Sequence, residues 1–263
     1  MARKSSIKEF YIMDGGLIGL DKSLMTGGRD QGKWIDIPIP MFLIVTDQGN
    51  VLVDTGMNPD IIENVEEAWG KDLAVNVPPK MKKENDVREC LKKVGVKPDD
   101  IKYVINTHFH HDHVGGNRFF LNAKFIAQVA EYRFAKYPDQ WYGDRYLKKD
   151  FDYDLNYTTV EGDVEILPGL WVLLTNGHTP GHQSVMLQDV PDAGNIILSS
   201  DAIYMRENLE QDVPPGICWN GDLAVRSIKK IKFLADLIDA HVIVSHDLAY
   251  WKTLPLSPKK YTR

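Results

Sequence analysis

Residues 107–113 read Thr-His-Phe-His-His-Asp-His. Four imidazoles, at His108, His110, His111 and His113, and the Asp112 carboxylate fall within six consecutive positions. Imidazole and carboxylate are common protein ligands for zinc and related divalent ions. Packing gains little from such a cluster, because adjacent histidines compete for hydrogen-bond partners. The H-x-H-x-D-H pattern therefore points to a metal site. It points further to two metals, since neighbouring residues of an irregular loop can face different sides and serve a pair of ions.

A second segment, Asn176-Gly-His-Thr-Pro-Gly-His-Gln-Ser184, carries His178 and His182. Gly and Pro fix a tight loop there and let backbone come close to an ion. His178 is the candidate ligand; His182 is read as supporting the loop, with a ligand role in its place as the alternative. Asp201 follows the apolar run Ile196-Ile-Leu-Ser-Ser200, where a carboxylate could bridge two cations. His246 follows His241-Val-Ile-Val244, and Asp54 closes Val51-Leu-Val. Taken singly, Asp201 or His246 would be an ordinary structural residue. Both gain weight from strand-end positions in a chain that carries the histidine cluster.

The elements that must hold these residues can be read from periodicity. Met41–Val45 and Val51–Asp54 flank Asp47-Gln-Gly-Asn50 and predict a β-hairpin. Val87, Cys90, Leu91 and Val94 predict a helix over 85–94, with Asn85 as cap and Gly95 as stop. Ile101–Ile105 is a buried strand delivering the histidine loop. Strands are expected at 164–167, 170–174, 183–187, 195–199 and 241–244. Ile228, Ile231, Ala235 and Ile238 predict a helix over 222–240 capped by Asp222. Strands alternating with helices indicate an α/β protein, whose functional residues gather on loops beyond strand ends.

Composition narrows the class. The 263 residues contain 31 Lys and Arg against 37 Asp and Glu, a net charge of −6. That balance gives no electrostatic reason to expect nucleic acid or an anionic membrane as partner. No apolar stretch approaches the roughly 20 residues of a membrane span, and no apolar core follows the basic start to make a secretory signal. Cys90 and Cys218 match no metal or redox spacing and read as small buried hydrophobes. A cytoplasmic protein is expected. No linker, charge block or repeat divides the chain, so residues 1–263 are expected to form a single domain.

The residues quoted above, with Leu52-Val-Asp-Thr-Gly56 and Ser245-His246, resemble the metallo-β-lactamase superfamily along most of the chain. Within it the chain looks like the N-acyl homoserine lactonases, through Leu155-Asn-Tyr157, Val160-Glu-Gly-Asp163, Tyr204-Met-Arg-Glu-Asn208, His246-Asp247 and Trp251-Lys-Thr253. The resemblance implies an α/β fold, a four-layer αβ/βα sandwich, with the metals at one edge of the two sheets. It implies that His108, His110 and His178 hold one ion, that Asp112, His113 and His246 hold the other, and that Asp201 bridges them. Two divalent cations would be the cofactors, zinc foremost, with iron, cobalt or manganese as alternatives. Asp54 would steady a ligand, or else simply end its strand. His111 departs from the aromatic or small residue often found at its position and is expected in the pocket wall. A homodimer is implied by the resemblance alone.

The reaction expected is opening of the lactone ring of an N-acyl homoserine lactone, the quorum-quenching reaction. Two cations sharing a water make hydroxide available near neutral pH, and no G-x-S-x-G elbow offers a serine nucleophile instead. By resemblance, Tyr204 would donate to the developing oxyanion and Asp112 would carry a proton to the leaving alkoxide. Leu17, Ile18, Leu20, Met25, Trp34, Ile62 and Trp69 lie in segments that could border the acyl chain; Trp141, Tyr142 and Tyr146 are read as packing. The nearest rival is a 4-pyridoxolactonase, with Asp14-Gly-Gly16 as its hint. Behind it stands another ester or thioester hydrolase of the superfamily. A non-catalytic redox protein with a di-iron centre is the rival from a different class.

Overall fold

The computed structural model describes residues 4–263. Its first strand, β1 (Ile7–Asp21), is antiparallel to β2 (Trp34–Thr46). Their register shifts between Asp14 and Leu17. Asp14-Gly-Gly16 is therefore a bulge: Gly16 has φ +97°, and a Cβ on Gly15 would meet the Ile39 carbonyl at 2.7 Å. Glycine is what lets β1 bend there. The predicted hairpin is present, with Phe42 opposite Val53 of β3 (Asn50–Val53). β4 (Pro79–Lys80) borders β1. Parallel pairing then adds β5 (Ile101–Ile105), β6 (Lys124–Gln128) and β7 (Asn156–Val160), for a sheet order β4-β1-β2-β3-β5-β6-β7.

The second sheet holds β8 (Val164–Leu167), β9 (Leu170–Leu174), β10 (Gln183–Val190), β11 (Gly194–Ser200) and β12 (Ala240–Val244), in the order β12-β11-β10-β9-β8. Phe10, Phe42, Val51, Val53 and Ile105 of the first sheet meet Val172, Val185, Leu187, Ile196 and Leu198 of the second. Strands buried on both faces read as continuous apolar runs, which is why β3, β5 and β11 are legible in the sequence.

Helices α1 (Val65–Trp69), α2 (Lys71–Asn76), α3 (Val87–Lys93), α4 (Val129–Lys136), α5 (Arg206–Gln211), α6 (Gly221–Ile238) and α7 (Leu248–Trp251) complete the architecture. α3 packs Val87, Cys90 and Leu91 on the outer side of the first sheet, against Leu43, Leu52 and Val104. α6 packs Ile228, Ile231 and Ala235 on the outer side of the second, against Leu173, Met186 and Ile197. Each buried isoleucine there contributes roughly 1.5–3 kcal/mol. The four-layer αβ/βα sandwich is the architecture observed. Among the described residues no helix is long and apolar enough to cross a membrane.

Several local expectations are corrected. α6 is capped by Asn220, whose side chain accepts the Leu223 N–H at 3.0 Å, so Asp222 falls inside the first turn. α3 is capped by Asp86, which accepts the Arg88 N–H at 2.9 Å; Asn85 instead closes the preceding turn by accepting from Lys82 N at 3.0 Å. Cys90 is buried as expected, but Cys218 is only half-buried. β1, β4, β6 and β7 escaped the sequence reading. β1 is interrupted by its glycines, and β7 is a half-polar edge strand of sequence Asn-Tyr-Thr-Thr-Val.

Candidate metal centre

Every candidate ligand segment follows a strand. Asp54 follows β3, the histidine loop follows β5, His178 follows β9, Asp201 follows β11, and His246 lies beyond β12. The loops are tied across the sandwich. Thr55 N donates to the His113 carbonyl at 2.7 Å, and Gln183 N donates to the Thr107 carbonyl at 2.9 Å. Two residues here adopt positive φ without being glycine, Asp54 at 55° and Ser200 at 45°. Such strain persists where surrounding contacts enforce it.

The imidazoles converge. Nε2 of His178 lies 3.2 Å from Nε2 of His108 and 3.0 Å from Nδ1 of His110. Ring nitrogens gathered this closely, with Asp201 within 4.8 Å of all of them, are a donor set suited to a cation. Asp201 Oδ2 lies 3.5 Å from Nε2 of both His108 and His178. Its other oxygen, Oδ1, lies 3.4 Å from Nε2 of His113 and 3.2 Å from Nε2 of His246. Asp112 Oδ2 is 3.5 Å from Nε2 of His113. Two donor groups result: His108, His110, His178 and Asp201 in one, Asp112, His113 and His246 in the other. Nε2 of His113 and Oδ1 of Asp201 are buried without a hydrogen-bond partner. Orphaned atoms of this kind, in an all-N/O donor set, fit divalent metal ions.

The remaining nitrogen is occupied in four of the five ligand histidines, His108, His113, His178 and His246, which fixes their ring orientation. His113 Nδ1 pairs with Asp54 Oδ2 at 2.7 Å, and Asp54 also accepts from Thr107 N at 2.8 Å and Thr107 Oγ1 at 2.7 Å. Asp54 thus ends its strand and also steadies a candidate ligand. His108 Nδ1 meets Thr107 Oγ1 at 3.1 Å, His178 Nδ1 the Ile217 carbonyl at 2.8 Å, and His246 Nδ1 the Pro38 carbonyl at 2.8 Å. His182 lies outside both donor groups: its Nε2 accepts the Asp201 N–H at 3.0 Å while Nδ1 faces the Thr175 carbonyl at 3.2 Å. Burial and the neighbouring His178 push its pKa down to about 3, so it is neutral. Burial alone would raise the Asp201 carboxyl, but the facing His113, His246 and His108 hold it well below the usual carboxylate range.

A pocket of about 240 Å³ opens beside the donors. Its apolar wall comes from Ile18 and Leu20 of β1, Leu24 and Met25 of the turn after it, Ile37 of β2, and Leu73 and Val77 at α2. Its polar part comes from the donors His110, Asp112, Asp201 and His246 together with Asp72, Asn76, His111, Asp144, Arg145 and Tyr204. Of the residues expected to border an acyl chain, Ile18, Leu20 and Met25 line it; Leu17, Trp34, Ile62 and Trp69 do not. His111 belongs to neither donor group. It stands in the pocket wall edge-on to Trp69, ring centroids 4.4 Å apart, and neither ring nitrogen has a hydrogen-bond partner.

A family model for the metallo-beta-lactamase superfamily matches residues 35–246. An N-acyl homoserine lactonase of a Bacillus species is 37% identical over 243 residues, 92% of this chain and 94% of that one. One from Bacillus cereus is 35% identical over 254 residues, 97% of this chain and 99% of that one. The chain belongs to the N-acyl homoserine lactonase family of the metallo-beta-lactamase superfamily. A solved N-acyl homoserine lactone hydrolase, with N-hexanoyl-L-homoserine bound at its catalytic metal centre, superposes with a TM-score of 0.88. It is 34% identical to this chain, covering 97% of this chain and 99% of its own.

In this lactonase-family chain the fold brings together all seven residues expected to hold metal, and Tyr204 beside them. Sequence reading missed Leu24, Ile37, Leu73, Val77 and Ile217 as pocket residues, and Glu131 as a buried contact of the ligand loops. A carboxylate in the first turn of a short amphipathic helix carries no signal of such a role. Of the three aromatic residues read as packing, Tyr146 packs on His110 at 4.9 Å, and Trp141 is 80% exposed.

Proposed function

We propose that this protein is a dinuclear metal hydrolase that opens the lactone ring of N-acyl homoserine lactones and releases the N-acyl homoserine, the whole chain acting as one hydrolase domain. The observation that carries the proposal is the two-faced Asp201 carboxylate, set between two histidine groups at the end of an apolar pocket. Zinc is our assignment for both ions, held by His108, His110, His178 and Asp201 on one side and by Asp112, His113, His246 and Asp201 on the other. When bound, the ions supply an activated water and Lewis acidity toward the ester carbonyl.

The side chains supply the rest. Tyr204 lines the pocket with its hydroxyl 3.1 Å from His178 Nδ1. Burial, with Asp201 and Asp112 nearby, holds its phenol well above the usual range, so the proton stays on. That O–H is the donor for the carbonyl oxygen as negative charge develops. Asp112 belongs to the second donor group and also lines the pocket, and it takes the proton of the attacking water to the leaving ring oxygen. Water oxygen joins the acyl carbon, the ring C–O bond breaks, and the freed alcohol carries the transferred proton. Ile18, Leu20, Leu24, Met25 and Leu73 offer the acyl chain an apolar wall. A cytoplasmic setting agrees with two unpaired cysteines. A homodimer rests on the resemblance and is checked by mass in solution.

The test is lactone opening followed by acid release, with metal content measured on the same sample. Zinc-loaded protein is expected to open N-acyl homoserine lactones faster than a pyridoxal-derived lactone, and chelation is expected to abolish turnover. Fully loaded protein that leaves every acyl length intact would end this reading.

A further inference from the structure

Glu131, in the first turn of α4, is fully buried, and all its hydrogen-bond donors belong to the loops around the metal centre. Its Oε1 accepts from Phe109 N at 3.3 Å and from the Tyr146 hydroxyl at 3.3 Å. Oε2 accepts from Thr179 Oγ1 at 2.6 Å and from Gly181 N at 3.0 Å. Phe109 lies between His108 and His110, while Thr179 follows His178. Tyr146 packs edge-on against the His110 ring at 4.9 Å. A Cβ on Gly181 would come within 2.1 Å of Glu131 N, so the His178 loop is seated directly on α4. The three histidines of the first donor group are thus braced by one side chain. The second group is braced elsewhere, His113 by Asp54 and His246 by the Pro38 carbonyl.

We propose that Glu131 is the positioning residue for the first of the two ions, clamping the loops of His108, His110 and His178 together while leaving the other site to its own supports. This rests on the dinuclear reading above. Each carboxylate oxygen accepts one backbone N–H, from Phe109 on one side and Gly181 on the other. A hydroxyl can turn to accept instead, but a backbone N–H cannot. Glutamine has a single acceptor oxygen, so Glu131→Gln sets an NH2 against one of those two N–H groups and forces one loop away.

The experiment is equilibrium titration of metal-free protein with cobalt(II), resolving two dissociation constants. Loss of a residue that orients metal ligands costs roughly 10–100-fold in affinity. Glu131→Gln is expected to weaken one ion by that factor and leave the other at its wild-type affinity. Two reference variants identify which ion is lost. Added to His178→Asn, Glu131→Gln changes cobalt binding little; added to His246→Asn, it weakens the site that is left. Thr179→Val, which removes a single donor to Oε2, is expected to shift the same ion by a smaller factor and serves if Glu131→Gln does not fold. Two affinities that fall together, or that both hold in these variants, overturn the proposal. Wild-type protein that takes up no cobalt overturns the dinuclear reading and this one with it.

Discussion

The Tyr204 hydroxyl lies 3.1 Å from His178 Nδ1, the nitrogen that also faces the Ile217 carbonyl at 2.8 Å. With Nε2 of His178 turned toward His108 and His110, its proton sits on Nδ1 and points at both oxygens. The tyrosine therefore receives from His178 and keeps its own O–H free for the pocket. Tyr204→Phe preserves the ring packing against His178 and His246. It is expected to lower kcat roughly hundredfold, the scale of one lost oxyanion donor, with metal content unchanged. Steady-state kinetics beside elemental analysis checks this; an undiminished kcat would remove Tyr204 from the reaction.

His111 stands among ligands without joining them. Both of its buried ring nitrogens lack partners, and such groups cost roughly 1–3 kcal/mol each to bury unpaired. His111→Phe keeps the contact with Trp69. It is expected to raise stability by about 1 kcal/mol and to leave two ions per chain. Urea unfolding and metal analysis read the two effects; a lost ion would make His111 a ligand.

The His178 loop is docked on α6 through Gly177, at φ +135°, where a Cβ would meet Ala224 N at 2.2 Å. Neither backbone can yield cheaply. Gly177→Ala is expected to cost roughly 2–5 kcal/mol from conformational strain and overpacking. Thermal unfolding of metal-free protein measures it, and a loss within experimental error would show that the loop and helix are not in such close contact.

Asp150 is buried, with Asn58 Nδ2 donating to Oδ1 at 2.8 Å and Oδ2 unpaired. Burial pushes its carboxyl from 3.8 up to about 6, against the pull of Asn58 and Lys149. The folded state therefore keeps this proton over a pH range in which the unfolded chain has released it. Stability from this group is present below pH 3.8 and is lost as pH rises toward about 6. The stability of Asp150→Asn relative to wild type is expected to climb across that window and level off above it. Urea titrations of metal-free protein from pH 4 to 7 follow the difference; a flat difference would mean that Asp150 titrates normally.

The sequence by itself determined the donor types, their order and their loops. His108, His110, Asp112 and His113 sit in one short segment, while Asp54, Asp201 and His246 each close an apolar run. Those signals are local, and the buried strands β3, β5 and β11 preserve them because both faces of each strand are covered. The same locality explains the misjudged helix caps, where adjacent residues such as Asn85 and Asp86 compete for one turn. Only the tertiary structure decided that His110 turns Nδ1 inward while His108 and His178 turn Nε2, and that Asp201 presents one oxygen to each group. It alone set Glu131 beneath two loops and built the pocket wall from β1, β2 and α2. Such relations join segments far apart along the chain. They follow from sheet order, register and the close approach that Gly177 and Gly181 permit, which no spacing of neighbouring residues records.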